Sequence, residues 1–394
     1  MDEVVIVGAA RTPIGRFLGA LSTVPAPQLA AVAIRGAILR SGVPAEQVED
    51  VVLGHVLSAG VGMGAARQAA LAAGLPTGVS AYTVNRVCAS GLAAVVTASQ
   101  SIAAGDARVV VAGGMENMSL APHLLMNSRT GTRLGNAEMV DHAVHDGLWC
   151  AWEQHHMGNS AEAIARKYGI TREEQDAFAV ESHRKAIAAM DAGRLSAEIE
   201  PVLVMHKKGE TLVEADEGPR RDTSQEALAR LSPAFEEGGT VTAGNAPSLS
   251  DGAAALVLTS GRLAAERGWR VLGRITASAT ASLEPLWLFD APVEAARRVA
   301  EKAGTDIGGF DLIEINEAFS AQVLANGRVL GWEWDRVNTK GGSVALGHPI
   351  GCSGARILVT LLHSMEERKL RRGMAVLCHG GGGAVAVAIE TDGS

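Results

Sequence analysis

Short apolar runs alternate with alanine-rich stretches along most of the chain, a pattern typical of an α/β fold. In the first third, strands of mostly valine and isoleucine alternate with helices of mostly alanine. The elements predicted there are strand Val4–Val7, helix Gln28–Ser41, strand Val51–Leu53, helix Gly64–Ala73, helix Cys88–Ala104 and strand Arg108–Ala112.

A similar order returns near the end of the chain. The elements predicted there are helix Val293–Ala303, strand Leu312–Ile315, helix Ser353–Glu367, strand Met374–Cys378 and strand Ala384–Glu390. In each half a Ser-Gly pair (Ser90-Gly91 and Ser353-Gly354) opens a helix that leads into a strand ending in consecutive glycines. This similarity is a weak sign of internal duplication.

The stretch from about Ser119 to Ser248 breaks the alternation. It is rich in His, Met, Trp and charged residues, contains the amphipathic helix Arg172–Asp191, and shows few strands. We interpret it as a layer inserted over the core, because excursions this long are uncommon unless they bind something. The alternative is a long surface excursion without function.

Composition narrows the class of protein. A chain of 394 residues with 47% hydrophobic and 20% charged residues fits two domains with a sizeable core. Only 4% aromatic residues and 46 glycines favour helices packed closely on buried parallel strands. A net charge of −8 argues against a nucleic-acid partner, because such proteins usually carry basic clusters.

Targeting signals are not recognisable in the sequence. Residues 1–8 lack the basic region and apolar stretch of a signal peptide, and no apolar run approaches the roughly 20 residues that span a membrane. Residues 390–394 carry no retention or peroxisomal address. We therefore expect a cytoplasmic protein without a membrane partner. The four cysteines, at positions 88, 150, 352 and 378, are too scattered for a zinc site, so we expect thiols and no metal.

Four positions are candidates for chemistry. Cys88 stands where a strand-like segment meets a helix start, which favours the thiolate, although a small core residue is the alternative. His348, between Gly347 and Pro349, is held in a rigid turn and is a candidate base, or else a capping or solvent-facing histidine.

Two further candidates follow strands late in the chain. Cys378 precedes the glycine run Gly380–Gly383, whose bare amides suit a developing oxyanion. A phosphate cradle is the alternative there, but a strand and not a helix follows the glycines. Asn316 follows the strand Leu312–Ile315 and either orients a partner or caps a helix.

Together these positions resemble the thiolase family, and the resemblance covers essentially the whole chain. The matching blocks occur in family order: Val7–Gly15, the segment around Cys88, Gly113–Ser119, His156–Gly158, Thr242–Ala246, Asn316–Phe319, Gly341–Gly351 and Cys378–Gly382. The resemblance implies a duplicated five-layered αβαβα core. It assigns residues 1–118 and 249–269 to the N-terminal half, 270–394 to the C-terminal half, and 119–248 to an inserted loop domain that binds coenzyme A.

The resemblance also implies the roles of the site residues. Cys88 would take the acyl group as a thioester, His348 would activate it, and Cys378 would move the proton at the acyl α-carbon. Asn316 would form one oxyanion hole with His348, and the amides of Cys88 and Gly380 would form the other. The expected contacts with substrate or coenzyme A are His156, Met157, Arg221, Ala243, Pro247, Ala318 and Phe319.

These roles imply an acyltransferase acting on acyl-CoA and CoA, without a cofactor. The expected reaction is reversible condensation of two acetyl-CoA molecules, or thiolysis of 3-ketoacyl-CoA, and the direction stays open. Trp287, Leu288, Phe289 and Trp149 are expected to shorten the acyl pocket. The segment Arg129–Gly135 resembles the loop that pairs dimers into tetramers in short-chain bacterial thiolases, so we expect a homotetramer.

Some positions depart from the family pattern. Ala89 stands where glycine is usual, and Pro247 stands where serine is usual. The segment Leu288–Pro292 is closer to the mitochondrial acetoacetyl-CoA thiolase branch, some of whose members bind potassium through a tyrosine. Neither Tyr82 nor Tyr168 lies in the matching stretch, so no potassium site is predicted.

Other enzyme classes fit less well. A β-ketoacyl synthase shares the duplicated fold, but it uses a cysteine with two histidines, and Cys378 argues against it. A papain-like hydrolase would have its residues in the order Cys, His, Asn, whereas Asn316 precedes His348 here. A thiolase with broader chain-length specificity stays open, and a non-catalytic acyl-CoA-binding relative would have little need for all four reactive positions.

Overall fold

A computed structural model of the chain describes residues 3–207 and 209–393. Residues 1, 2 and 394, which belong to the terminal segments used to predict localisation, lie outside the described residues. The strands are β1 (Val4–Arg11), β2 (Gly15–Arg16), β3 (Asp50–Gly54), β4 (Ser80–Val84), β5 (Val109–Asn117), β6 (His123–Leu125), β7 (Met139–Asp141), β8 (Trp149–Cys150), β9 (His155–His156), β10 (Val202–His206), β11 (Gly209–Val213), β12 (Ser250–Ser260), β13 (Gly273–Ser282), β14 (Leu312–Ile315), β15 (Arg372–His379) and β16 (Gly383–Glu390).

The helices account for the alanine-rich stretches of the sequence. They are α1 (Ala26–Ser41), α2 (Ala65–Ala72), α3 (Ser90–Ala104), α4 (Met157–Tyr168), α5 (Arg172–Asp191), α6 (Gln225–Ala229), α7 (Gly261–Arg267), α8 (Ala291–Lys302), α9 (Ser320–Leu330), α10 (Ser343–Leu346) and α11 (Ile350–Arg368). The predicted bounds of β14 and α5 are confirmed. Helix α5 begins at a capping box in which Thr171 and Glu174 satisfy each other's backbone N–H groups.

One large sheet runs through the molecule in the order β14-β15-β16-β13-β1-β12-β5-β3-β4, with β2 beside β12. Strand β3 is parallel to β4 and β5, and β14 is parallel to β15, whereas the other pairs are antiparallel. The expectation of parallel strands is therefore wrong for most of the sheet. Helices cover both faces of the sheet, so its antiparallel strands also carry apolar side chains on both sides. Their sequence pattern therefore resembles that of parallel strands.

Helices divide the core into the predicted layers. Helices α1 and α2 pack on β1, β3, β5 and β12, and α8 packs on the far side of β13 to β16. Helices α3 and α11 lie between these two parts of the sheet, and one apolar cluster joins Leu92 and Leu358 to Leu256 and Leu377. The predicted five-layered αβαβα architecture is confirmed.

The central helix α3 also has a bearing on the membrane prediction. Contrary to that expectation, one helical segment among the described residues, Val87–Ala104, is long and apolar enough to span a membrane. Its side chains Leu92, Val95 and Ala98 are fully buried against both parts of the sheet. Its hydrophobicity is thus explained by its place in the central layer.

The two Ser-Gly pairs lie where α3 and α11 touch. A Cβ atom on Gly91 would lie 2.8 Å from the Ala355 nitrogen, and one on Gly354 would lie 2.5 Å from the Leu92 nitrogen. No side chain fits between two backbones at these distances. The glycines therefore let the N-terminal parts of the two central helices meet, which places Cys88 and His348 on the same side of the core.

Residues 119–248 contribute three short hairpins (β6–β7, β8–β9 and β10–β11) and helices α4, α5 and α6. A buried ion network connects this region to the sheet. Arg11 Nε donates to Glu198 at 2.6 Å, and its terminal nitrogens donate to both carboxylate oxygens of Asp216 at 2.7 and 2.9 Å. The three-part division of the chain stays a prediction.

Replacing Gly354 by alanine should destabilise the protein, although glycine-to-alanine changes inside helices usually stabilise by about 0.5–1 kcal/mol. The new methyl would press on the α3 backbone, and overpacking costs about 1–3 kcal/mol. We expect a lower midpoint of thermal unfolding for Gly354→Ala. Gly78→Ala is the control, because nothing lies within 4 Å of a Cβ there. An unchanged or raised midpoint for Gly354→Ala would contradict the close contact.

Candidate active site

Cys88 sits in a tight turn between β4 and α3. The preceding Val87 has a φ of +47°, which is rare for a β-branched residue and strained. Ser90 holds the turn: its Oγ accepts from the Arg86 N–H at 2.8 Å and donates to the Val87 carbonyl at 2.6 Å. The turn therefore presents the Cys88 thiol at the edge of a cavity.

The thiol of Cys88 is protonated at rest. Burial raises its pKa to about 12, and the charge of Glu116 acts in the same direction. The backbone N–H groups of Gly380 and of Cys88 itself point at the sulfur and lower the pKa, but by less. The amides thus favour the thiolate, as expected from the helix start, but desolvation outweighs them and the net pKa is raised. The same two amides are the predicted oxyanion donors.

His348 is fixed in one tautomer. Its Nδ1 lies 2.6 Å from Ser353 Oγ, which itself donates to the Pro349 carbonyl at 2.9 Å. Ser353 can then only accept from the imidazole, so Nδ1 carries the hydrogen and Nε2 keeps a free lone pair. Burial, and to a smaller extent the charge of Arg356, lower the pKa of His348 to about 3, so Nε2 is unprotonated and available as a base.

Asn316 faces that lone pair. Its Nδ2 lies 3.4 Å from His348 Nε2, and its Oδ1 accepts from Ser343 Oγ at 2.6 Å. Arg356 donates to Ser343 at 3.0 Å, which leaves the serine hydrogen for Asn316 and fixes the orientation of the amide. The alternative of a helix cap is wrong, because the capping position of α9 is Phe319.

Cys378 lies near the end of β15 and is buried. Burial and the neighbouring Cys88 raise its pKa well above the ordinary value. The glycine run follows, with Gly381 and Gly382 at φ +84° and +92°. Strand β16 continues directly from it, so the arrangement lacks the helix start that a phosphate cradle needs.

These groups surround one apolar cavity of about 220 Å³. Nine of the predicted catalytic and substrate-binding residues line it: Cys88, His348, Cys378, Gly380, His156, Met157, Pro247, Ala318 and Phe319. Asn316 does not line the cavity itself, but it contacts His348, which does. A row of rings forms one wall, with centroids 4.8 Å apart for His156 and Phe235, 6.0 Å for Phe235 and Phe319, and 5.5 Å for Phe319 and Phe289.

Four predicted contacts lie elsewhere. Arg221 is on the surface, where it pairs with Asp191, and Ala243 is exposed outside the cavity wall. Trp149 is 41% exposed, and its neighbour Leu148 lines the cavity instead. Trp287 packs on Lys167, whose Nζ lies 4.4 Å from the ring centroid. The prediction that these two tryptophans fill the acyl pocket is wrong, whereas Leu288 and Phe289 do line it.

Two buried carboxylates were missed as parts of the site. Glu116 accepts from the N–H groups of Val56, Leu57 and Gly351 at 3.2, 3.2 and 3.0 Å. Glu317 accepts from three groups: Ser182 Oγ at 2.7 Å, Asn338 Nδ2 at 2.8 Å and the Val344 N–H at 3.0 Å. Both lie inside motifs recognised in the sequence, but a carboxylate that serves as an acceptor for distant backbone groups leaves no local signal.

No group of three or more His, Cys, Asp and Glu side chains suited to a metal ion occurs within residues 3–207 and 209–393. The absence of a metal and of a cofactor stays a prediction. The cavity brings together two thiols, the neutral imidazole of His348 and a set of fixed N–H donors around an apolar space, which suits acyl transfer through a thioester.

Comparison with known sequences decides between the enzyme classes that share this chemistry. Residues 4–262 match the family described as thiolase, N-terminal domain, and residues 269–391 match thiolase, C-terminal domain. The chain belongs to the thiolase family.

Relatives of this thiolase match it from end to end. An acetyl-CoA acetyltransferase of Pseudomonas aeruginosa is 54% identical over 393 residues, covering 100% of both chains. A probable acetyl-CoA acetyltransferase of Escherichia coli is 52% identical over 392 residues, also covering 100% of both. The crystal structure of the Bacillus anthracis acetyl-CoA acetyltransferase superposes with a TM-score of 0.97 at 43% identity, covering 99% of each chain.

The neutral state of His348 predicts a pH effect on stability. Its pKa is about 3 in the folded thiolase and near 6.5 when unfolded, so the unfolded chain binds the extra proton below pH 6.5 and stability falls. At pH 5 this loss should reach about 2 kcal/mol. His348→Gln should therefore lose less stability between pH 7 and pH 5 than the wild type, measured by denaturant unfolding at both values. Equal losses in the two proteins would contradict a buried neutral imidazole.

Proposed function

We propose that this thiolase is an acetyl-CoA C-acetyltransferase. It condenses two acetyl-CoA molecules reversibly to acetoacetyl-CoA and CoA, or cleaves 3-ketoacyl-CoA with CoA. The observation that carries the proposal is the convergence of Cys88, Cys378 and the neutral His348 on one apolar cavity. The names of the full-length relatives support the acetyl group as the unit transferred.

The first half-reaction loads the acetyl group. His348 Nε2 takes the proton of the Cys88 thiol, and the thiolate attacks the thioester carbonyl of acetyl-CoA. The oxyanion that forms lies at the N–H groups of Cys88 and Gly380, which already point at the sulfur. Collapse breaks the bond to the CoA sulfur, and the departing thiolate takes the proton of Cys378. Acetyl-Cys88, protonated His348 and the Cys378 thiolate remain.

The second half-reaction makes the carbon–carbon bond. The Cys378 thiolate removes a proton from the methyl group of a second acetyl-CoA, and its high pKa makes it a strong base for this step. His348 and Asn316 face the enolate oxygen. The enolate carbon attacks acetyl-Cys88, and the Cys88 thiolate leaves and recovers its proton from His348. Thiolysis runs through the same steps in reverse.

A β-ketoacyl synthase is the second function considered from the sequence. It would need a second histidine facing the nucleophile beside His348. The residue next to His348 Nε2 is Asn316, at 3.4 Å, and the second reactive group is Cys378. Both observations favour the thiolase reaction.

The proposal predicts that the two cysteines have separable roles. After incubation with acetyl-CoA and rapid quenching, digestion and mass spectrometry should find the acetyl group on Cys88. Cys378→Ala should still become acetylated, because solvent can protonate the departing CoA, but should lose condensation by several orders of magnitude. The control is Cys352→Ala, since that thiol is outside the cavity wall. Acetyl on Cys378 alone, or near wild-type condensation by Cys378→Ala, would contradict these roles.

We also expect a preference for short acyl groups. Leu148, Leu288 and Phe289 line the cavity, and overfilling a packed site costs about 1–3 kcal/mol, roughly tenfold to hundredfold in rate. Acetoacetyl-CoA should exceed 3-ketooctanoyl-CoA in kcat/KM for thiolysis. Phe289→Ala should raise the ratio of eight-carbon to four-carbon activity about tenfold, and a ratio within one variant is independent of how much of it folds. The exposed Trp149→Ala is the control; a ratio unchanged by Phe289→Ala would support broader chain-length specificity.

The working form proposed is a cytoplasmic homotetramer that needs no cofactor or metal and binds neither nucleic acid nor membrane. The support for assembly is the hairpin β6–β7, whose tip carries Leu134 at 98% exposure, with Met126 and Met139 beside it. Exposed apolar side chains of this kind favour a subunit contact. Light scattering at micromolar protein should give the tetramer mass, and Leu134→Asp should reduce it to the dimer. A wild-type dimer would rule the tetramer out.

A further inference from the structure

The glycine run after Cys378 raises the question of how the Gly380 N–H group is held in position. Gly380 supplies an N–H group aimed at the Cys88 sulfur, yet it opens a stretch of four glycines, the most flexible of residues. An oxyanion donor stabilises a developing charge only if it is held in place before the reaction. Some neighbouring side chain must therefore restrict this loop.

His379, which received no role from the sequence, lies against the run at both ends. Its Nδ1 is 2.8 Å from the Gly380 carbonyl oxygen. Its ring folds back over Gly383, where an added Cβ would collide with Nε2 and Cε1 of the imidazole. The ring is part of the cavity wall that also contains Cys88 and Cys378.

The hydrogen bond determines the tautomer. A carbonyl oxygen only accepts, so His379 Nδ1 carries the hydrogen. This is true of the neutral imidazole and of the protonated one. The contact with Gly380 is therefore independent of the charge of His379, and its effect is geometric.

The bond also closes a ring of atoms. The ring runs from Nδ1 through the side chain and Cα of His379, across the peptide bond to Gly380, and back through the Gly380 carbonyl. The peptide unit inside this ring is the one whose N–H points at Cys88. Rotation of that unit would break the bond, so His379 limits the movement of the donor.

We propose that His379 is a positioning residue that holds the Gly380 N–H as an oxyanion donor for acyl transfer. The inference rests on the proposed roles of Cys88 and Gly380. Its consequence is that the imidazole can be replaced by any side chain that donates from the same point, and by no apolar one.

Two substitutions separate this role from simple packing. His379→Leu fills the space without a donor, whereas the amide nitrogen of His379→Asn can take the place of Nδ1. For His379→Leu we expect a tenfold to hundredfold lower rate of Cys88 acetylation, with KM within about twofold of wild type. The rate of Cys88 alkylation by iodoacetamide at one fixed, mildly alkaline pH should fall, because the loosened amide stabilises the thiolate less; peptide mass spectrometry distinguishes Cys88 from the other thiols. His379→Asn should match wild type in both measurements.

A double-mutant cycle with Gly383 gives an independent check. Gly383→Ala should displace the ring and reproduce the slower acetylation in the wild-type background. In the His379→Ala background the same change should cost nothing further, because the three atoms nearest to the added Cβ all belong to His379.

Wild-type rates of both acetylation and alkylation for His379→Leu would overturn the inference, as would equal costs of Gly383→Ala in both backgrounds. The acetyl label on wild-type Cys88 is read separately. Absence of the label on wild-type Cys88 would contradict the proposed function. A labelled wild type together with a wild-type acetylation rate in His379→Leu would contradict only the role of His379. Should His379→Leu fail to fold, the Gly383 cycle still decides.

Discussion

The contact between the backbones of α3 and α11 at Gly91 and Gly354 is the constraint on which the site depends. The N-terminal ends of these two helices carry Cys88 and His348, the proposed nucleophile and base. Side chains of ordinary size would hold the helices further apart and would leave room for adjustment. Backbone-to-backbone packing removes that room, because protein interiors are dense and hardly compressible. The position of the thiol relative to the imidazole is thereby set in the middle layer of the fold.

In the loops next to these helices, backbone N–H groups donate to two buried carboxylates, those of Glu116 and Glu317. Glu116 accepts hydrogen bonds from N–H groups in the loop after β3 and at the start of α11, while Glu317 accepts from α5, from Asn338 before α10 and from α10 itself. Both groups are buried, and burial raises the pKa of Glu116 to about 8 in spite of its three donors. Burying such a carboxylate costs desolvation free energy, but its hydrogen bonds hold several segments of the chain in place at once.

The electrostatics of the resting site follow from the same burial. With the pKa of Cys88 at about 12 and that of His348 at about 3, the pair is neutral before substrate binds. In the proposed reaction, charges then form only when the thiolate can attack a bound acyl group and fixed N–H groups can stabilise the resulting oxyanion. A neutral resting state also limits side reactions of the thiols, since the thiolate is the reactive form.

The sequence by itself determined the α/β class and the bounds of elements such as β14 and α5, and it pointed to Cys88 and His348, which line one cavity in the structure. Those signals are local: apolar periodicity, caps, and small residues around a reactive side chain. Tertiary structure decided which strands pair antiparallel, that Trp149 turns to solvent, and that Cys88 rests as a thiol. Pairing partners, side-chain direction and desolvation depend on groups far apart along the chain. A local sequence pattern contains no information about which distant residues become neighbours in the fold.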